Sequence, residues 1–171
     1  LLKEVGVDVV FTPSEGDIYP QGKSITMKSG EAAQGLESDF RPFFFDGVCT
    51  VVHRLFTIVR PDAAVFGEKD YQQLMVIREM VDTLGLNIQI IGAPIMRDAC
   101  GLALSSRNAY LNDAEIAIAR QLNIVLQGKN PSAQALISAG FDKVDYIETR
   151  WGRILAAAWI GKTRLIDNIN I

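Results

Sequence analysis

Two short runs of the 171-residue chain combine residue types that could do chemistry. The first is Phe66-Gly67-Glu68-Lys69-Asp70-Tyr71-Gln72-Gln73. An apolar run, Ala63-Ala64-Val65-Phe66, precedes its charged part, and a helical pattern follows. In open α/β sheets, ligands bind beyond the carboxyl ends of strands. Gly67 lets a backbone come close to a ligand, and a helix start at Asp70 turns free N–H groups toward an anion. Lys69 adds a positive charge for a phosphate or carboxylate, and Gln73, one turn further on, can face the same cleft. On pattern alone the run also fits an ordinary polar strand-to-helix turn with a solvated lysine. The second run is Gly101-Leu102-Ala103-Leu104-Ser105-Ser106-Arg107-Asn108. Two hydroxyls beside a guanidinium give several donors and no fixed negative charge, which suits the phosphates of a nucleotide. Taken by itself it is equally a serine-rich surface loop.

Other chemistries find little support. The single histidine, His53, sits in a helical pattern with no nucleophile or second catalytic residue beside it, so a structural or surface role is expected. No Ser-His-Asp or Cys-His arrangement is legible. Cys49 and Cys100 form neither a CxxC pair nor a metal spacing, and a reduced, cytoplasmic setting is expected for two packing or loop thiols. A metal held by protein side chains is not expected. The net charge of −3 argues against a general nucleic-acid binder but allows a small anionic substrate. No apolar run approaches the roughly 20 residues that span a bilayer, and no signal peptide is visible at the start. Lysine, arginine, hydroxyls, backbone N–H groups and Mg²⁺ suffice for adenylyl transfer, because that reaction depends on positioning and on cations matched to developing charge. A substrate carboxylate is already a nucleophile and needs no base.

The elements that must position these runs follow from periodicity. Leu1 to Glu4 read as the last turns of a helix capped by Gly6, with a strand at 7–11. The chain is therefore expected to begin mid-domain, with an upstream part absent. Residues 12–23 read as loop and 24–28 as a short strand. Helical spacing from Asp46 to Arg60 stops at Pro61. A strand at 63–66, a helix at 71–84 capped by Gly85, and a strand at 87–91 make a βαβ unit with a parallel pair. After a long loop at 92–111, Asn112 and Glu115 form a capping box that opens a helix to about Gly128. Asn130-Pro131 starts another helix, with proline at the first position. Strands at 144–148, 154–159 and 164–171 complete the chain. The expected fold class is α/β, with a partial Rossmann-like parallel sheet in residues 1–128 followed by a small α+β domain in residues 129–171.

With these runs in place, the chain resembles the pantothenate synthetase (pantoate–β-alanine ligase) family. Residues 66–74 and 101–108 look like its two signature segments. Gly47-Val48-Cys49-Thr50-Val51-Val52 is similar to its Gly-Val-x-Thr-Val-Val, and 144–148 and 163–169 are similar to its tail. The resemblance implies the nucleotidylyl transferase superfamily, and a reaction in which ATP and pantoate give pantoyl adenylate and pyrophosphate before β-alanine attacks. It implies ATP as substrate with Mg²⁺, no membrane or nucleic-acid partner, and a homodimer in the full-length protein. By position it implies Gly67, Glu68, Lys69, Asp70, Met96, Leu104, Ser105, Ser106 and Arg107 at ATP, and Gln73 at pantoate. Met96 would touch the adenine side through its backbone. Residues 104–107 would form a mobile loop closing on the phosphates, and Lys69, Ser105, Ser106 and Arg107 would carry catalysis. The family's His-x-x-His motif and first pantoate-binding glutamine do not occur here, so the chain is expected to be an incomplete, inactive fragment. Phe44 stands where the family has a histidine, Cys100 where it has an aspartate, and the segment between Glu148 and Arg153 is short. Another nucleotidylyl transferase acting on a phosphorylated substrate, or a truncated domain without activity, are the competing expectations.

Overall fold

The computed structural model describes residues 2–22 and 24–171. Its secondary structure runs α1 (Glu15–Ile18), α2 (Glu37–Phe40), α3 (Phe44–Val59), β1 (Ala63–Gly67), α4 (Tyr71–Thr83), β2 (Gln89–Ala93), α5 (Asp113–Gln127), α6 (Ala133–Ser138), β3 (Lys143–Arg150), β4 (Arg153–Ile160) and β5 (Thr163–Asn170). β1 and β2 pair in parallel, with Ala63 opposite Gln89 and Gly67 opposite Ala93. β3, β4 and β5 form a separate antiparallel sheet in chain order. The mixed α/β class read from the sequence is the class observed.

Each half is built around its own apolar cluster. Phe45, Cys49, Val52 and Phe56 of α3 meet Val76, Ile77, Met80 and Val81 of α4, with Ala64, Phe66, Ile88 and Ile90 from the parallel pair against them. The second cluster joins Ala119, Leu122 and Leu126 of α5 to Leu136, Phe141 and the alanine-rich β4. Small residues at 156 and 158 let the helix approach the sheet closely. A third, smaller cluster, Leu36, Tyr146, Leu155 and Ala157, bridges the two.

Local chemistry explains the boundaries. α3 starts at Phe44, two residues before the expected Asp46, and stops where Arg60 adopts a left-handed conformation (φ 52°) ahead of Pro61. α5 opens with the expected box: the Asn112 side chain accepts from the Glu115 N–H at 3.0 Å, and Glu115 accepts from the Asn112 N–H at 2.8 Å. Replacing Asn112 by alanine is expected to cost about 1 kcal/mol, read as a lowered urea midpoint at unchanged slope. The β3–β4 hairpin closes through Trp151 (φ 54°) and Gly152 (φ 70°), the two positive-φ positions that a two-residue hairpin turn requires.

Four expectations change. The strand expected at 7–11 is not formed; Val9 and Phe11 are exposed, and no described strand offers a ladder to pair with. The helix end expected before it is a turn over the described residues, and Leu1 lies outside them. Residues 24–28 are not a strand either, because the N–H groups of Thr26 and Met27 donate to the Thr50 hydroxyl at 3.2 and 3.1 Å instead of to a ladder. The short helix α6 begins at Ala133, not at the proline, because the Ser132 hydroxyl accepts from the Ala135 N–H at 3.2 Å and takes the capping position.

The two thiols differ sharply. Cys49 is buried among α3 and α4, and that burial, with the carboxylates of Asp46 and Glu79 nearby, pushes it up to about 11. Cys100 is exposed. A maleimide at pH 8 is expected to label Cys100 quickly and to reach Cys49 only on unfolding, because the thiolate is the reactive form. Peptide mapping of the labelled protein checks this.

Candidate active site

The turn after β1 carries the first signature run. Glu68–Asp70 form one 3₁₀ turn, and Asp70 then caps α4 without a side-chain hydrogen bond, which leaves the first N–H groups of the helix free of a side-chain cap. Gly67 has an ordinary extended backbone (φ −69°), and a Cβ built there would meet no protein atom within 4 Å. The protein itself therefore does not require glycine at this point.

The sheet of the C-terminal half holds this turn from below. Asn168 of β5 donates to the carbonyl oxygens of Glu68 (2.9 Å) and Lys69 (3.1 Å). Arg153 of β4 donates to the Asn168 amide oxygen at 2.7 Å and to the Glu68 carboxylate at 2.7 Å, and its guanidinium lies 4.2 Å from the Tyr71 ring centre. The Glu68 side chain is thus taken up by Arg153 and is not among the residues that line the cleft described below. Gly92 makes room for it, since a Cβ there would stand 3.0 Å from a Glu68 carboxylate oxygen.

Asp167, next to Asn168, performs the same service for the second run. It accepts from both terminal nitrogens of Arg97 at 2.6 and 2.9 Å, and Arg97 in turn donates to the Gly101 carbonyl at 3.0 Å. Asp98 accepts from the N–H groups of Cys100 and Leu102, so Cys100 sits in a turn organised by its neighbour. Ser105 caps the 3₁₀ turn Ser106–Tyr110, its hydroxyl accepting from the Arg107 N–H at 3.2 Å. Two adjacent residues of one strand therefore anchor both signature runs.

The result is convergence. Lys69 and Ser105 share a crevice of about 10 Å³ with Asn108 and Asp167. Lys69, Gln73 and Arg107 line an adjoining cleft of about 180 Å³ with Asp70, Arg41 and Arg164. Phe44, Phe45, Leu155 and Ile166 give that cleft its apolar wall. Burial pushes Lys69 below the usual lysine value, Asp70 opposes that, and the Arg107 charge adds to it. The sign for stability follows: the folded state binds this proton less tightly than the unfolded chain, so the penalty is full at low pH and is relieved as pH rises through the lowered value. For activity the sign is opposite. If the cation is the working form, the rate falls as pH rises through the same point, and Lys69→Arg is expected to move that fall to higher pH, read from a pH–rate profile.

Not every expected residue joins. Met96 is 71% exposed and outside both spaces, and its carbonyl already accepts from the Leu104 N–H at 2.8 Å. Leu104 and Ser106 are exposed and likewise line neither space. Gln72, not Gln73, is the buried glutamine; it clamps Ala32, Gly35 and Glu37 through three hydrogen bonds and leaves Gln73 to face the cleft. Phe44, at the family's histidine position, packs beneath the Arg41 guanidinium at 3.5 Å from its ring centre, so a cation–π contact occupies that place.

Sequence reasoning gave no role to Glu37, Tyr146 or Arg164. The Glu37 carboxylate accepts from the Tyr146 hydroxyl (2.7 Å) and lies 2.8 Å from Arg164. Arg164 also donates to Asp145 at 2.8 Å. The register of β3 and β4 shifts between Val144 and Tyr146, leaving Asp145 at a bulge. The legible signal was charge inside strand patterns, at Asp145, Arg164 and Asp167, which is costly unless paired.

Fold and site together define an α/β protein with a cationic, donor-rich cleft between a βα turn and a second, antiparallel sheet. A model of the family described as pantoate-beta-alanine ligase matches residues 1–170. The pantothenate synthetase of Mesorhizobium japonicum is 50% identical over 197 residues, covering 100% of this chain and 70% of that protein. That of Corynebacterium jeikeium is 44% identical, covering 99% of this chain and 63% of its own length. Among solved structures, the pantoate-beta-alanine ligase of Francisella tularensis, complexed with beta-gamma ATP and beta-alanine, superposes with a TM-score of 0.88 at 40% identity, over 99% of this chain and 67% of that one. The pantothenate synthetase of Thermus thermophilus does so with 0.86 at 36% identity, over 99% and 71%. The chain thus spans about two thirds of the length of these relatives, from 63% to 71%. The chain belongs to the pantoate-beta-alanine ligase family.

Proposed function

We propose that this protein takes part in the ATP-dependent ligation of pantoate and β-alanine to pantothenate. The carrying observation is the convergence of Lys69 with Ser105 and Arg107 around adjoining spaces in a chain of this family. ATP enters as its Mg²⁺ complex. A carboxylate oxygen of pantoate attacks the α-phosphorus, the bond to the pyrophosphate oxygen breaks, and an acyl adenylate forms. The amine of β-alanine then attacks the acyl carbon, AMP leaves with the electron pair of the C–O bond, and the nitrogen loses a proton to give the amide.

In this reading the residues position and neutralise. Lys69 and the uncapped N–H groups of α4 meet phosphate oxygens. Arg107 and the Ser105 hydroxyl supply donors from the opposite side, and Ser106, Leu104 and Met96 reach the nucleotide only if the 104–107 turn closes over it. Gly67 would let a nucleotide come close to the βα turn, since a Cβ there would meet no protein atom within 4 Å, and Asp70, which lines the cleft, would face the ion that accompanies the phosphates. Gln73 and the apolar wall at Phe45 and Ile166 suit a small hydroxy acid with a branched carbon skeleton. A homodimer and a cytoplasmic setting belong to the same proposal. Light scattering measures the first, and fractionation the second. Supplying the full-length protein with ATP, pantoate and β-alanine tests the activity: AMP and the amide should appear together, and AMP formation indifferent to pantoate would refute it.

A further inference from the structure

Beside the cleft just described lies a second, larger groove of about 500 Å³ whose wall is strongly cationic. Arg41, Arg107, Lys143, Lys162 and Arg164 face it with a single carboxylate, Asp145. With Glu37 also set against Arg164 and Arg41, three positive charges still stand unmatched. This occurs on a chain whose net charge is −3, so the groove departs from the rest of the surface. The arginines are shared: Arg41, Arg107 and Arg164 line both this groove and the smaller cleft.

Two details point to a ligand with many acceptor oxygens. Arg164 is largely buried and commits two of its three nitrogens to Glu37 and Asp145, while the third, Nη2, is buried without a hydrogen-bond partner. A buried guanidinium nitrogen left unpaired is costly, and the residue that carries it lines both spaces. At the other side, Lys143 is held in place by Asp145 at 2.8 Å and by the rings of Phe40 and Trp159, each 5.7 Å from its ammonium. No described residue pairs with the side chains of Lys162 or Arg107. The cations come from the hairpin turn after β4, the starts of β3 and β5, the segment before α3 and the 106–110 turn, so five separate parts of the chain contribute to one rim.

We propose that this groove is an oligophosphate subsite that receives inorganic pyrophosphate on its way out of the neighbouring cleft. The choice of pyrophosphate rests on the function proposed above; the anion chemistry does not. The three shared arginines give the leaving group cationic partners on the way from Lys69 toward Lys143 and Lys162, and its departure clears the acyl adenylate for the amine.

Calorimetric titration of the full-length protein with sodium pyrophosphate is the test, with sulfate and AMP as controls. The Lys143 side chain is 61% exposed and Lys162 is exposed, so K143A/K162A should fold, as circular dichroism will report. We expect pyrophosphate to bind below millimolar, with the double variant weakened by about tenfold or more and K69A retaining a pyrophosphate site. The proposal fails if the double variant binds like wild type, if K69A alone removes all pyrophosphate binding, if no binding occurs at millimolar ligand, or if sulfate or AMP competes equally. Pyrophosphate binding at the groove without any pantoate-dependent pyrophosphate release would separate a failure of the ligase reading from a failure of this one.

Discussion

Replacing Lys69 by alanine is expected to slow adenylate formation about 10²-fold, or about 3 kcal/mol of transition-state stabilisation, the scale of one lost preorganised electrostatic contact. The effect should be large because Lys69 is half-buried, where a charge acts through less water than on the surface. The loss should fall on kcat more than on KM, since charge builds up on the pyrophosphate oxygens as the bond breaks. Folding should change little, because the side chain makes no hydrogen bond or ion pair among the described residues and Asn168 grips only its backbone. Single-turnover measurement of pyrophosphate release separates the chemical step from product release. An unchanged rate would remove Lys69 from the mechanism.

The largest stability effect is expected at Asp167. It is 3% exposed and accepts two hydrogen bonds from Arg97, with Asn123 at 3.5 Å. Asp167→Ala leaves the Arg97 guanidinium without its counter-charge, with only the Gly101 and Asn168 carbonyls as acceptors. Breaking such a pair costs about 3–5 kcal/mol, which for a chain of this size lowers Tm by on the order of ten degrees. The exposed Lys162→Ala should stay within about 0.5 kcal/mol and serves as the control. Because Arg97 also holds Gly101, the Asp167 variant should loosen the 101–108 segment, seen as faster amide exchange there while α4 stays protected.

Much of the fold was legible because its signals are local. The α3, α4 and α5 patterns, the capping box at Asn112 and the stop at Pro61 each depend on residues within a turn of one another. The 7–11 segment misled because its alternation of valines is a property of the strand, whereas forming one depends on a neighbour. Residues 24–28 misled for a related reason: the hydroxyl that satisfies their backbone belongs to Thr50, more than twenty positions away. The expected division of the chain at 128–129 rests on Gly128 and the nearby Pro131, while the apolar cluster around α5, with Leu122 and Leu126 against β4, depends on contacts that no such punctuation announces.

The site divides in the same way. Lys69, Ser105, Arg107 and Gln73 were legible as residue types at telling positions. That Glu68 serves Arg153, and that β5 anchors both runs through Asp167 and Asn168, was not legible, because those partners lie some 70 to 100 residues apart. Nothing in spacing announces such a contact; only the register of a hairpin fixes it.

The central claim is that two distant runs act as one cradle, and a double-mutant cycle addresses it most directly. Lys69→Ala, Arg107→Ala and the pair should be compared in pantoate-dependent pyrophosphate release by the full-length protein. If both side chains meet the same phosphate oxygens, the double variant should lose clearly less than the product of the two single losses, a coupling of about 0.5–3 kcal/mol. Strictly multiplicative losses would mean that the two residues act apart, and the shared cradle would have to be given up.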